Sequence, residues 1–179
     1  MLGPVFLSTW MGRLTYFAVA MAILFFDLLP LSFTPRFTPA PDVLFGLTLA
    51  FLLRRPEFVP SWLIALVFLL SDILLMRPPG LWTAIMLMVA SLTRGQEYRF
   101  RERAFVLEWG YVGGIIFLAM LARRMILFVA LVPQIGAGMS MLHYLVTVAV
   151  YPLIVFFCYA LLGIRKVTPE VAIRFGHRL

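Results

Sequence analysis

The sequence has little of what enzymes and soluble domains are built from. Charged residues are 13% of its 179 positions, about half the share of an ordinary soluble domain. Its single cysteine, Cys158, lies inside an apolar run and reads as a small packing residue rather than a redox or metal-binding group. The two histidines, His143 and His177, are far apart, and no spacing of His, Cys, Asp and Glu resembles a metal site. A phosphate-cradling glycine loop of the G-x-x-x-x-G-K kind is missing, and Ser8, Ser61, Ser71, Ser91 and Ser140 carry no nucleophile signature. There is no internal repeat, low-complexity tract or appended soluble domain. These absences point to a non-enzymatic protein without a cofactor.

What the chain does have is apolar surface. Apolar residues are 63% of the whole, against about 45–50% in soluble proteins. A soluble core of this size cannot hide so much apolar area, so lipid has to be the solvent for most of it. The expected class is an all-α integral membrane protein, with one membrane domain over residues 1–179. The net charge of +7 is spread through the gaps between apolar runs rather than gathered on one face, which argues against nucleic acid as a partner. The N-terminus does not read as a cleavable signal. Met1 to Gly12 precede the first cation, Arg13, and no small-residue cleavage pattern follows Leu14–Leu29.

Six apolar runs predict a six-span helical bundle, with spans over about residues 14–31, 41–54, 61–76, 80–93, 104–132 and 142–163. A straight span takes about 20 residues. Runs two to four are shorter, so they either borrow flanking residues or lie in a thinned bilayer. Run five is longer than the hydrocarbon core needs, and it either protrudes, bends at Gly113-Gly114 or breaks at Arg123-Arg124. With six spans, one side receives Arg13, Arg54, Arg55, Arg94, Arg99, Arg101, Arg103, Arg165, Lys166, Arg174 and Arg178. Only Arg36, Arg77, Arg123 and Arg124 fall on the other. That excess places both termini in the cytoplasm. Trp62, Trp82, Trp109 and Tyr144 fall near span ends, where interfacial aromatics belong.

In this orientation Asp27, Asp42 and Asp72, from three different spans, share the outer-leaflet level with Arg36, Arg77, Arg123 and Arg124. A carboxylate facing lipid at a helix centre costs about 2.5–3.5 kcal/mol on insertion scales, so pairing inside the bundle is expected. Two readings stand side by side. One is a structural network of ion pairs and hydrogen bonds; the other is a polar pocket or proton path opening to the outer side. Asp42, just after Pro41, is also placed to cap the start of span two. Glu108, one turn into span five, is placed to pair with an arginine of the cytoplasmic side. Gly110, Gly113 and Gly114 on span five let a neighbouring helix approach closely. Pro152 interrupts span six and frees the carbonyl of Val148, which Thr147 or a group on a facing helix has to satisfy.

Three stretches carry a family resemblance: PDVLFGLTLAFLLRR, SWLIALVFLLSDILLMRPPGLWTAIMLM and YPLIVFFCYALLGIRKV. Pro41-Asp42 opens span two, Asp72 near the end of span three is followed by Gly80, and Pro152 in the last span precedes basic Arg165-Lys166. In this order the features resemble the bacterial rod shape-determining MreD family, over nearly the whole chain from about Leu14 to Lys166. The chain departs from the family pattern at Phe68, where a small residue is usual, and at Thr147, where asparagine is frequent. The resemblance implies a non-enzymatic, multi-pass scaffold of the cell inner membrane, part of the elongasome that maintains rod cell shape. Its implied partners are MreC, the filament protein MreB, and RodA with its transpeptidase partner, which carry out side-wall peptidoglycan biosynthesis. The family's fold is similar to the substrate-binding membrane subunits of vitamin transporters. The alternative function is therefore a small transporter subunit holding a polar ligand in an outer-facing pocket. A membrane enzyme of lipid metabolism, the third class, lacks its required motif.

Overall fold

The computed structural model describes residues 4–29, 40–94, 96, 105–134 and 136–160, with side chains from Thr9 onward. Among these residues the chain is all-helical, without a strand. It forms six α-helices: α1 Pro4–Leu28, α2 Val43–Arg54, α3 Ser61–Leu74, α4 Leu81–Arg94, α5 Phe105–Val129 and α6 Ala137–Ala160. A 3-10 turn, Pro56–Phe58, joins α2 to α3. Helix α1 starts well before the first apolar run. Pro4 stands at its first position, where a missing N–H costs nothing, and no breaker follows it. Helix α5 runs unbroken through both Gly113-Gly114 and Arg123-Arg124.

Three helical segments are long and apolar enough to cross a membrane: Thr9–Leu28, Phe105–Val129 and Ala137–Ala160. The other three are shorter, and for α2 burial explains why it tolerates that. Helix α2, VLFGLTLAFLLR, is apolar all round, the mark of a helix enclosed by protein. Every residue of α2 from Leu44 to Arg54 is buried. At 1.5 Å per residue its 12 residues reach about 18 Å, short of a hydrocarbon core of about 30 Å. Protein covers it instead, since α1, α4 and α6 all pack on it. The longer helices carry narrow inward stripes instead. On α5 the stripe is Glu108, Val112, Ile115, Ile116 and Ala119; on α6 it is Thr147, Tyr151, Ile154 and Cys158.

Specific side chains fix how the surrounding helices meet α2. Tyr16, fully buried, lies 3.0 Å from the Thr48 hydroxyl and edge-on to Phe51 at 5.3 Å. Thr48 already donates to the Leu44 carbonyl at 2.8 Å, so the tyrosine is the donor. Phe45 stacks on Trp82 of α4 at 5.2 Å. Gly46 admits α6, since a Cβ there would stand 2.7 Å from Ile154 Cδ1.

The C-terminus of α3 closes by a paired backbone motif. Arg77 N donates to Asp72 O at 2.9 Å and Met76 N to Ile73 O at 3.3 Å. The residue between takes a left-handed conformation, Met76 at φ 52°. Helix α5 ends the same way, with Val132 N on Leu127 O, Leu131 N on Phe128 O and Leu131 at φ 54°. Glycine usually fills this position; here a methionine and a leucine do, both with exposed side chains.

A buried ion pair joins α2 to α5. Arg54 Nη1 lies 2.8 Å from Glu108 Oε1, and the Tyr151 hydroxyl of α6 donates to the same oxygen at 2.9 Å. All three side chains are buried. The partner expected for Glu108 is thus Arg54, whose guanidinium folds back along α2 toward the Ala50 carbonyl at 3.4 Å. Removing one member of such a pair strands a charge in a dry site and costs about 3–5 kcal/mol, whereas apolar replacement of both is near neutral. Glu108→Leu alone is therefore expected to lower the unfolding midpoint in detergent sharply. Adding Arg54→Met to Glu108→Leu should recover most of the loss. Additive losses in a thermal-unfolding double-mutant cycle would count against the coupling.

Candidate functional site

The polar groups gather at the two ends of the bundle. At one end, the starts of α2 and α4 meet the end of α3, the later part of α5 and the first half of α6. Asp42 precedes α2 as its N-cap: its carboxylate accepts from Phe45 N at 3.0 Å. Its own N–H donates to Thr147 Oγ1 at 3.1 Å, and the Thr147 hydroxyl donates in turn to the His143 carbonyl at 2.8 Å. One threonine thereby links the start of α2 to α6.

Asp72 does the same work across a turn. Though part of α3, it aims its carboxylate at the N-terminus of α4. Its Oδ2 accepts from Gly80 N at 3.1 Å, Thr83 N at 3.2 Å and Thr83 Oγ1 at 3.0 Å. A negative group here satisfies first-turn donors that have no helical partner and complements the positive end of the helix dipole. Gly80 takes φ +85°, a conformation that L side chains rarely adopt, which presents its N–H to Asp72. The acid within an apolar run is explained: its oxygen holds the α3–α4 hairpin closed.

The expected arginines are near but bond differently from a simple set of ion pairs. Arg123 lies within electrostatic range of Asp42, Asp72 and Arg77, and half-buried His143 within range of Asp42, Arg123 and Arg77. Neither Asp42 nor Asp72 forms an ion pair with an arginine among the described residues. Arg123 stands over the Trp82 ring at 5.7 Å. Arg124 turns away to donate to Ser140 Oγ at 2.9 Å, while its carbonyl accepts from Gln134 Nε2 at 2.9 Å. Asp27 lies in the last turn of α1, exposed, and Arg77 lies partly exposed in the α3–α4 turn. Arg36 is outside the described residues, as are Arg165 and Lys166. Two buried polar atoms at this end have no hydrogen-bond partner, Asp72 Oδ1 and Trp82 Nε1. Among the described residues no set of His, Cys, Asp and Glu side chains could hold a metal ion.

The packing residues divide as well. A Cβ on Gly113 would meet Val148 and the Tyr144 hydroxyl of α6 at ordinary contact distance, so Gly113 packs within the bundle. Gly110 and Gly114 face open space. Pro152 sits inside α6 without ending it, and the Val148 carbonyl it frees accepts from Trp109 Nε1 of α5 at 2.9 Å. Of the two satisfiers foreseen from the sequence, the facing helix supplies the bond. Thr83 here, and Tyr151 beside Glu108, are residues that sequence reasoning passed over, and His143 was weighed there only as a metal ligand. A threonine three positions after a turn glycine is the one signal that was available.

Comparisons with protein-family models, with curated proteins and with solved structures find no match. Asp72→Ala is expected to cost about 1–3 kcal/mol of stability through loss of the α4 cap. Asp72→Asn, which keeps an acceptor oxygen, should cost less. Gly80→Ala should destabilise through its positive φ alone, by about 1 kcal/mol, because its Cβ would meet nothing. Thermal unfolding in detergent checks all three; an Asp72→Ala protein as stable as the parent would remove the capping role.

Proposed function

We propose that the chain is a non-enzymatic scaffold of the rod-elongation machinery. In this reading it crosses the bacterial inner membrane six times, keeps both termini in the cytoplasm, and holds MreC together with the enzymes that build side-wall peptidoglycan. MreB, RodA and its transpeptidase partner are engaged directly or through MreC. The family assignment rests on the sequence resemblance. One structural observation supports the scaffold reading: the residues at the resembling positions are used up in building the bundle. Asp42 caps α2, Asp72 caps α4, Gly80 supplies the turn that Asp72 holds, and Pro152 leaves a carbonyl taken by Trp109. A protein that spends its few polar groups on helix ends offers neighbours shape and apolar surface, the currency of helix association in lipid.

A second reading, a transporter subunit binding a polar solute, is favoured by a different observation. Asp72 Oδ1 and Trp82 Nε1 are a buried acceptor and a buried donor without partners, and Arg123 stands over that tryptophan. Buried polar atoms of this kind call for a ligand or a water.

Topology is tested by cysteine labelling in a background where buried Cys158 is replaced by serine. Cysteines at exposed Met76 and at Gly136 should react with an impermeant reagent from outside, and ones at Glu57 and Gln96 should not. The reverse pattern would overturn the orientation. For function, depletion in a rod-shaped host should give rounded cells while bulk peptidoglycan synthesis continues. Gly114→Leu, on the open face of α5, should reduce MreC recovery without moving the unfolding midpoint. Normal shape and full MreC recovery after complete depletion would reject the scaffold. Thermal stabilisation by a small polar solute alongside that result would favour the transporter subunit.

A further inference from the structure

The opposite end of the bundle holds a second cluster of charges that the scaffold reading leaves unused. Three arginines from three helical regions converge on the turn between α2 and α3. Arg13 of α1 donates from Nε to the Glu57 carbonyl at 3.3 Å. Arg55 pairs through Nη1 with Glu57 Oε1 at 3.2 Å. Arg94, at the end of α4, donates from Nη2 to the Val59 carbonyl at 2.6 Å. Their anchors are oxygens of residues only two positions apart, Glu57 and Val59, which brings three guanidinium groups to the one turn. Arg54, next in sequence, is not part of this cluster because Glu108 holds it inside the bundle.

Charge and hydrogen bonding are both unbalanced here. Of the three cations, Arg55 alone bonds a carboxylate among the described residues, that of exposed Glu57, while Arg13 and Arg94 bond backbone carbonyls. Each guanidinium carries five N–H donors, and the described bonds use one from each. Arg94 Nε is buried without a partner. The aromatic surroundings have an equally definite character. Arg13 lies over the Trp10 ring at 5.0 Å and Arg55 over the Phe58 ring at 5.7 Å. Trp10 and Trp62 are both exposed. Gly12 lets α1 close against the Phe58 ring, since a Cβ there would run into it. Stacked, oriented guanidinium forks beside exposed indoles suit a site that is apolar on one side and anionic on the other.

We propose that the Pro56–Phe58 turn, with Arg13, Arg55 and Arg94, binds the phosphate headgroup of an anionic phospholipid. The guanidinium forks match phosphate oxygens in pairs. Trp10 and Trp62 occupy the headgroup level beside it, where indoles partition. The acyl chains lie along the exposed apolar faces of α1 and α3, at Met11, Leu14, Leu66 and Leu69. A neutral phosphatidylcholine headgroup carries its own cation into a site that already holds three, so net negative lipids are selected. The proposal depends only on the chain lying in a membrane and stands apart from the scaffold reading.

The test uses the full chain purified in neutral detergent and exchanged into mixed micelles with phosphatidylglycerol or phosphatidylcholine. Lipid retained after gel filtration is quantified by mass spectrometry, and the unfolding midpoint is recorded in each. Phosphatidylglycerol should be retained preferentially and should raise the midpoint. Affinity should fall about fivefold for each arginine removed in Arg13→Gln and Arg55→Gln. Arg55→Lys should lose less than Arg55→Gln, and Arg77→Gln at the other end should lose nothing. Wild-type midpoints for the variants in phosphatidylcholine alone establish that they fold. Equal retention of both lipids, or a phosphatidylglycerol preference unchanged in the double variant, would overturn the site. A stabilisation reproduced in full by inorganic phosphate without lipid would overturn the lipid assignment.

Discussion

A helix of twelve residues placed in an apolar surrounding leaves N–H and C=O groups at both ends with no water to take them, and this constraint governs the rest of the architecture. Helix α2 is that helix. Its N-terminus is closed by Asp42 and tied to α6 through Thr147; its C-terminal arginine turns back into the bundle to meet Glu108 and Tyr151. With its N-terminus capped, its C-cap N–H closed on the Phe51 carbonyl and other helices packed on it, α2 can be short and buried from Leu44 to Arg54. The long helices α1, α5 and α6 supply the lipid-length surface that α2 lacks.

The same need is met by different chemistry at the two ends. At the Asp42 and Asp72 end, carboxylates and threonine hydroxyls cap helix N-termini, where the dipole favours negative charge. At the Glu57 end, arginines donate to the Glu57 and Val59 carbonyls of the turn between α2 and α3. Alternating antiparallel helices do not impose one sign at an end. The sequence places acids before or beside α2 and α4 and arginines after them, without excluding the other sign from either end. The Arg54–Glu108 pair differs from both groups: it is buried throughout and ties α2 to α5.

These arrangements bear on function through what they leave over. The polar groups of the Asp72 end are largely committed to helix termini, with Asp72 Oδ1 and Trp82 Nε1 the buried exceptions. The outward faces of α5 and α6 are broad and apolar, with Gly110 and Gly114 open between larger side chains. A surface of that kind is suited to contact with other helices. The arginines of the Glu57 end are suited to contact with headgroups.

How much of this was legible beforehand depended on the range of the interaction. Apolar runs marked all six helices because helix-forming apolar residues between turn residues need no tertiary information. The N-cap role of Asp42 was legible because its acceptor lies three residues from the donor it satisfies. The role of Asp72 was not: its donors are eight and eleven residues away, across a turn whose geometry rests on Gly80. Proximity in level had suggested arginines for it, yet helix N–H groups fixed in place at the turn are nearer. For Pro152 the sequence identified the orphaned carbonyl at Val148, and only packing decided that Trp109 would meet it. By itself, then, the sequence determined the class, the helices and the groups that had to find partners, because those follow from local periodicity and from the cost of an unmet polar group. The tertiary structure alone decided which partner each group found, and that a short helix could be hidden among long ones, because both depend on which helix faces which.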